Sequence, residues 1–154
     1  MKVYRAFAYL IALEVVVQAA AIAFGVFGLT HWIDDGGVAT KAAFEDDKLD
    51  FTGVVGFAIH GINGTLIIPV IALVFLIVSL FARSVSGGIR WAAIVFGLVA
   101  LQVFLGIASH SVPGLGPLHG INAFLLFGCA YYAGRRAAGE IRASTSEPVE
   151  PAIA

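Results

Sequence analysis

From Thr52 to Ala82 the chain carries no Asp, Glu, Lys or Arg, and no other feature constrains its folding as tightly. About 20 apolar residues cross the roughly 30 Å of a bilayer's hydrocarbon at about 1.5 Å per helical residue. Three more runs meet that length. The first goes from about Val3 to Ile33, interrupted only by Arg5, Glu14 and Gln18; another goes from Trp91 to about His110, and the last from about Pro117 to Gly134. Composition agrees: 60% of residues are hydrophobic and 12% charged, against about a quarter charged in soluble domains. The expectation is an all-α membrane protein, an up-and-down bundle of four transmembrane helices over about 3–33, 52–82, 90–110 and 117–135. This domain covers 1–142. The small, polar, proline-containing segment 143–154 reads as a disordered cytoplasmic tail.

The charges set orientation. Lys2 and Arg5 precede the first run, Arg83 and Arg90 flank the link between the second and third, and Arg135, Arg136 and Arg142 follow the fourth. The first link holds Asp34, Asp35, Glu45, Asp46, Asp47 and Asp50 against Lys41 and Lys48, and the third link holds no charge. Basic residues stay inside, so both termini are expected in the cytoplasm of a cell membrane, by its design a prokaryotic one. The first run is much longer than the about 7–15 apolar residues of a signal peptide and reads as an uncleaved helix. Trp32, Trp91, Tyr4, Tyr131 and Tyr132 fall near helix ends, where aromatic rings favour the interface. Pro117 suits a first helical turn, and Pro69 should kink the second helix.

A net charge of −1 gives no reason to expect a nucleic-acid partner. Cys129 is the single cysteine, which excludes an intramolecular disulfide and cysteine-held zinc or iron–sulfur sites.

A motif recurs. His60-Gly61-Ile62-Asn63-Gly64 in the second run returns as His119-Gly120-Ile121-Asn122-Ala123 in the fourth, and Ala12-Leu13-Glu14-Val15 loosely matches Ala100-Leu101-Gln102-Val103. The chain reads as two repeated helical hairpins. Alternate helices of a four-helix bundle lie diagonally, roughly 11–14 Å apart when neighbours are 8–10 Å apart. Two imidazoles, each bonding iron at about 2 Å, span such a gap. Gly61, Gly64, Gly120 and Ala123 keep the same faces small, as do Gly56 and Gly116. Asn63 and Asn122 stand ready to bond an imidazole N–H or a haem edge. Two histidines are few for zinc, whereas haem brings four nitrogens. The reading is a single haem b with His60 and His119 as its iron ligands. Against it stands a plainer account in which the glycines serve helix packing alone.

The duplicated histidine turns, 119 − 60 = 59 residues apart, together with Gln102-Val103-Phe104-Leu105-Gly106, resemble haem A synthase, a membrane enzyme of two fused four-helix halves. The resemblance is to one half-unit and spans all four helices. It implies histidine ligation of haem from the second and fourth helices. The first outer link has Glu45, yet neither that family's loop pattern nor a cysteine, which argues against synthase activity.

Four further residues are secondary candidates. His31 and His110 mark the outer ends of the first and third helices, where a haem propionate or a quinol could meet them, or where they are simply solvated. Glu14, near mid-membrane, reads either as a proton- or quinone-linked group or, with Gln102 and Gln18, as a polar clamp on the first and third helices. Bis-histidine ligation favours electron transfer over oxygen chemistry, with a quinol or a larger respiratory complex as partner besides the lipid bilayer. The alternatives are a haem A synthase-like enzyme working as a homodimer and a cofactor-free structural or assembly subunit.

Overall fold

Apolar backbone in hydrocarbon has no water to bond, so its amides must pair within a helix. The computed structural model describes residues 1–45 and 49–146, without the side chains of 44, 45 and 141–146. Every regular element among them is helical. In chain order they are α1 (Lys2–Asp34), the short α2 (Lys41–Glu45), α3 (Val54–Ile62), a π-helical turn (Asn63–Ile67), α4 (Ile68–Phe81), α5 (Gly88–Ser109), a 3-10 turn (Pro113–Leu115) and α6 (Gly116–Ser146).

Three of the rods, Lys2–Asp34, Val54–Phe81 and Gly88–Ser109, are long and apolar enough to cross a membrane. α6 has 31 residues but carries His119, Asn122, Tyr131 and Tyr132 and is less apolar. Large apolar side chains stand outward along the rods, Phe27 at 74% exposure, Phe81 at 81% and Phe124 at 82%. Soluble monomers rarely show so much contiguous apolar surface. This is the make-up of a membrane protein.

The described chain divides into two compact units. One runs from Glu14 to Ile68; the other joins Met1–Leu13 to the residues from Pro69 onward. The expected first hairpin is therefore cut across both helices, and the cut falls beside the π-turn and Pro69, which has no N–H for the helical ladder. The regular α-helical ladder is thus interrupted by the π-turn, before Pro69.

In the unit from Glu14 to Ile68, the C-terminal part of α1 and α3 approach through small residues. A side chain at Gly28 would collide with the Thr52 carbonyl, and one at Gly56 with the Ala21 carbonyl. Close backbone contact of this kind is what holds helices together where lipid competes for apolar side chains. Beside it Trp32 stacks on Phe51 at 5.9 Å between ring centroids, and Phe51 meets Phe57 edge to face at 6.2 Å.

In the other unit, buried residues recur at helical spacing: Tyr4, Ala8, Ile11 and Ala12 on α1; Ala72, Phe75 and Ser79 on α4; Ala92, Val95 and Val99 on α5; and Asn122, Leu126, Ala130, Ala133 and Ala137 on α6. These are the apolar stripes that a 3.6-residue period produces. Tyr4 departs from expectation. It is 1% exposed, packs on Phe75 at 4.7 Å, and donates its hydroxyl to the Gly88 carbonyl at 3.0 Å. A hydroxyl with a main-chain partner can be buried, so this ring belongs to the core and not to an interfacial belt. α6 also continues through Ser146, past the expected helix end at 135 and into the segment 143–154 expected to be a disordered tail. The rest of the foreseen tail, 147–154, and Asp46, Asp47 and Lys48 lie outside the described residues.

Candidate functional site

Both histidine turns show the same burial. His60 and His119 are half-buried, the Gly-Ile pairs after them are exposed, Asn63 and Asn122 are buried at 8% and 3% exposure, and Gly64 and Ala123 are half-buried. Positions i, i+3 and i+4 share one helical face, so in each turn histidine, asparagine and the small residue look the same way.

The second turn is the more completely bonded. The Asn122 amide donates to Gln102 Oε1 at 2.6 Å and to the Leu98 carbonyl at 2.9 Å. With its oxygen taken, the Gln102 amide presents nitrogen to His119 Nε2, 3.1 Å away. That nitrogen must then be the acceptor, which leaves the ring proton on Nδ1 to donate to the Gln102 carbonyl at 3.1 Å. Gly106 makes room for the ring: a Cβ there would lie 3.2 Å from His119 Cε1.

In the first turn the Asn63 amide donates to Glu14 Oε2 at 2.7 Å, and His60 Nδ1 lies 3.1 Å from the Gln18 carbonyl. Gln18 also reaches the turn with its side chain. Turned so that its oxygen accepts from the Gly64 N–H (2.8 Å) and the Asn63 amide (3.1 Å), its nitrogen faces the His60 carbonyl (3.1 Å) and His60 Nδ1 (2.7 Å). Two tautomers are open to this ring. A proton on Nδ1 suits the Gln18 carbonyl, and an unprotonated Nδ1 suits the Gln18 amide.

Glu14 and Gln102, paired by the loose sequence match, thus do the same work: each accepts from the asparagine of the following helix. The foreseen clamp is present but runs differently. Its bonds lie within each hairpin, α1 to the π-turn and α5 to α6, instead of joining the first and third helices, because side chains on consecutive antiparallel helices meet at a shared face. The asparagines accordingly point to Glu14 and Gln102, where an imidazole or haem-edge contact was expected. Gln18 and Gly106 had been given no site of their own. Their signal was a second amide in an apolar run and a glycine one turn from Gln102.

The glycines separate into two groups. The face of Gly56 is filled by α1 and that of Gly64 by Gln18, whose Nε2 would stand 3.5 Å from an added Cβ. Added Cβ atoms at Gly61, Gly116 and Gly120 meet nothing within 4 Å. His31 lies 3.7 Å from Asp35 Oδ2 with both side chains largely exposed, and His110 caps the exposed end of α5. Neither approaches the histidine turn of its own unit in any described bond. No three His, Cys, Asp or Glu side chains gather as metal ligands among the described residues.

A family model of unknown function (DUF6220) matches here. It covers residues 42–109, less than half the chain, and takes in His60 and Gln102 but not His119. No curated protein and no solved structure matches.

Proposed function

We propose that the protein spans the membrane four times with both termini in the cytoplasm, and that His60 and His119 are the axial ligands of a single haem b used for electron transfer. One observation supports this above the rest. Each histidine Nδ1 lies 3.1 Å from a main-chain carbonyl of the preceding helix, the arrangement that orients a metal-bound imidazole and makes Nε2 its ligating nitrogen. His119 is held in that tautomer. His60 joins it when its proton sits on Nδ1.

The donor set fits the group. Two imidazoles suffice for iron already held by four porphyrin nitrogens. Haem held by His60 and His119 would supply a one-electron couple. Gln102 and Gln18 orient the rings, and the Gln102 amide gives up His119 Nε2 on ligation. A quinol or a neighbouring respiratory complex is the exchange partner of this reading.

A second reading has its own observation. Gln102 bonds both nitrogens of His119 and accepts from Asn122, which is a complete interhelical clamp without any cofactor, suited to a structural or assembly subunit.

A visible spectrum of the purified protein separates the two. Haem ligation gives a Soret band lost in His60→Ala and in His119→Ala; a folded, colourless wild-type protein leaves only the clamp. Reporter fusions test topology: equal cytoplasmic signals at the two termini fit four spans, and opposite signals refute them.

A further inference from the structure

The two histidine turns part company just after their asparagines. On α6 the next buried residue after Asn122 is Leu126, four positions on; after Asn63 it is Ile68, five positions on. The π-turn absorbs the extra residue, with the Ile68 N–H donating to the Asn63 carbonyl five residues back. In an uninterrupted α-helix the Gly64 N–H would donate to the His60 carbonyl. Here both of these groups meet the Gln18 amide, at 2.8 and 3.1 Å. Helices widen where a side chain enters the hydrogen-bond ladder, and in hydrocarbon no water can substitute for it. Gly64 borders the intruding amide, at whose nitrogen an added Cβ would stand in ordinary contact, 3.5 Å away.

We propose that Gln18 is the positioning residue of His60. Its amide lies against both the Gly64 N–H and the His60 carbonyl and holds the one-residue insertion open. His60 and Asn63 then face α1 while Ile68 stays on the buried stripe. Pro69 is not the cause. Its absent N–H would have paired with the Thr65 carbonyl, and the pair that Gln18 serves lies before that.

The test needs no haem, so its failure and that of the haem reading are separate. Nitroxide labels are placed singly at 67 and 68 in a Cys129→Ser background, in phospholipid vesicles, and read by collision with molecular oxygen, which enters hydrocarbon. Ile67 is 44% exposed and Ile68 is 5% exposed, so the label at 67 is the more accessible. Gln18→Leu closes the turn and reverses that order. Deleting Thr65 in the Gln18→Leu chain restores shielding to the label on the original Ile68, which then stands four residues after Asn63, because the straight helix again has the length its buried stripe needs. A glutamine that only filled space would show no such rescue. Pro69→Ala keeps the original order. An unchanged order in Gln18→Leu, or a reversal in Pro69→Ala, overturns the proposal. If Gln18→Leu fails to insert, stability decides: the Thr65 deletion with Gln18 retained strands the amide and is less stable than the combined variant. Equal stability of those two overturns the proposal as well.

Discussion

Asn122→Ala tests whether the buried amides bind α5 to α6. The substitution removes bonds of 2.6 Å to Gln102 and 2.9 Å to the Leu98 carbonyl at a site only 3% exposed. Interhelical bonds in membrane proteins average about 0.6 kcal/mol with a maximum near 1.7 kcal/mol, because an unfolded chain in the membrane finds other partners. Two such bonds give a loss of about 1.2 kcal/mol. Asn122 Oδ1 is itself buried with no hydrogen-bond partner. Alanine removes that unmet acceptor too, which offsets part of the loss, while Gln102 Oε1 is left without its donor, which adds to it. The pairwise contribution is isolated by a cycle with Gln102→Leu, and its coupling should lie near 0.6 kcal/mol and below about 1.7 kcal/mol. The assay is reversible unfolding in mixed micelles with rising detergent, followed by Trp91 fluorescence in a Trp32→Phe background. Trp91 on α5 packs against Tyr132 of α6, with ring centroids 4.6 Å apart, so its emission reports that pair. A coupling indistinguishable from zero refutes the clamp.

Two more outcomes follow from the same geometry. Glu14→Gln keeps an acceptor for Asn63 and copies Gln102, so it should unfold close to wild type in the same assay, whereas Glu14→Leu strands the Asn63 amide and should cost about 1 kcal/mol or more; equal behaviour of the two variants would count against the Glu14–Asn63 bond. Gly28→Leu and Gly56→Leu push side chains into the Thr52 and Ala21 carbonyls and should prevent close packing of α1 and α3, seen as loss of folded protein, while Gly61→Ala and Gly120→Ala meet open space and should stay within about 0.5 kcal/mol of wild type.

The pattern of residues along the chain decides a good deal by itself. Apolar length places α1, Val54–Phe81 and α5 nearly where the structure has them, since a helix in hydrocarbon must satisfy its own backbone and therefore runs as far as the apolar stretch does. The repeat of His-Gly-Ile-Asn settles which face each turn buries, because helical periodicity is local: asparagine three residues after histidine shares its side whatever packs there.

What the pattern leaves open is the partner of each buried group. That Asn63 meets Glu14, that Asn122 meets Gln102, and that Gly64 meets Gln18 depend on how far one helix has slid along the next, which no single stretch of residues encodes. The one-residue π-turn is the clearest case. His60 and His119 head the same four-residue motif, yet the buried stripe beyond them differs by one position, and at the first of them an amide from α1 meets the Gly64 N–H and the His60 carbonyl. Only tertiary structure brings residues 18 and 64 together, and that meeting decides the register of the helix that carries His60.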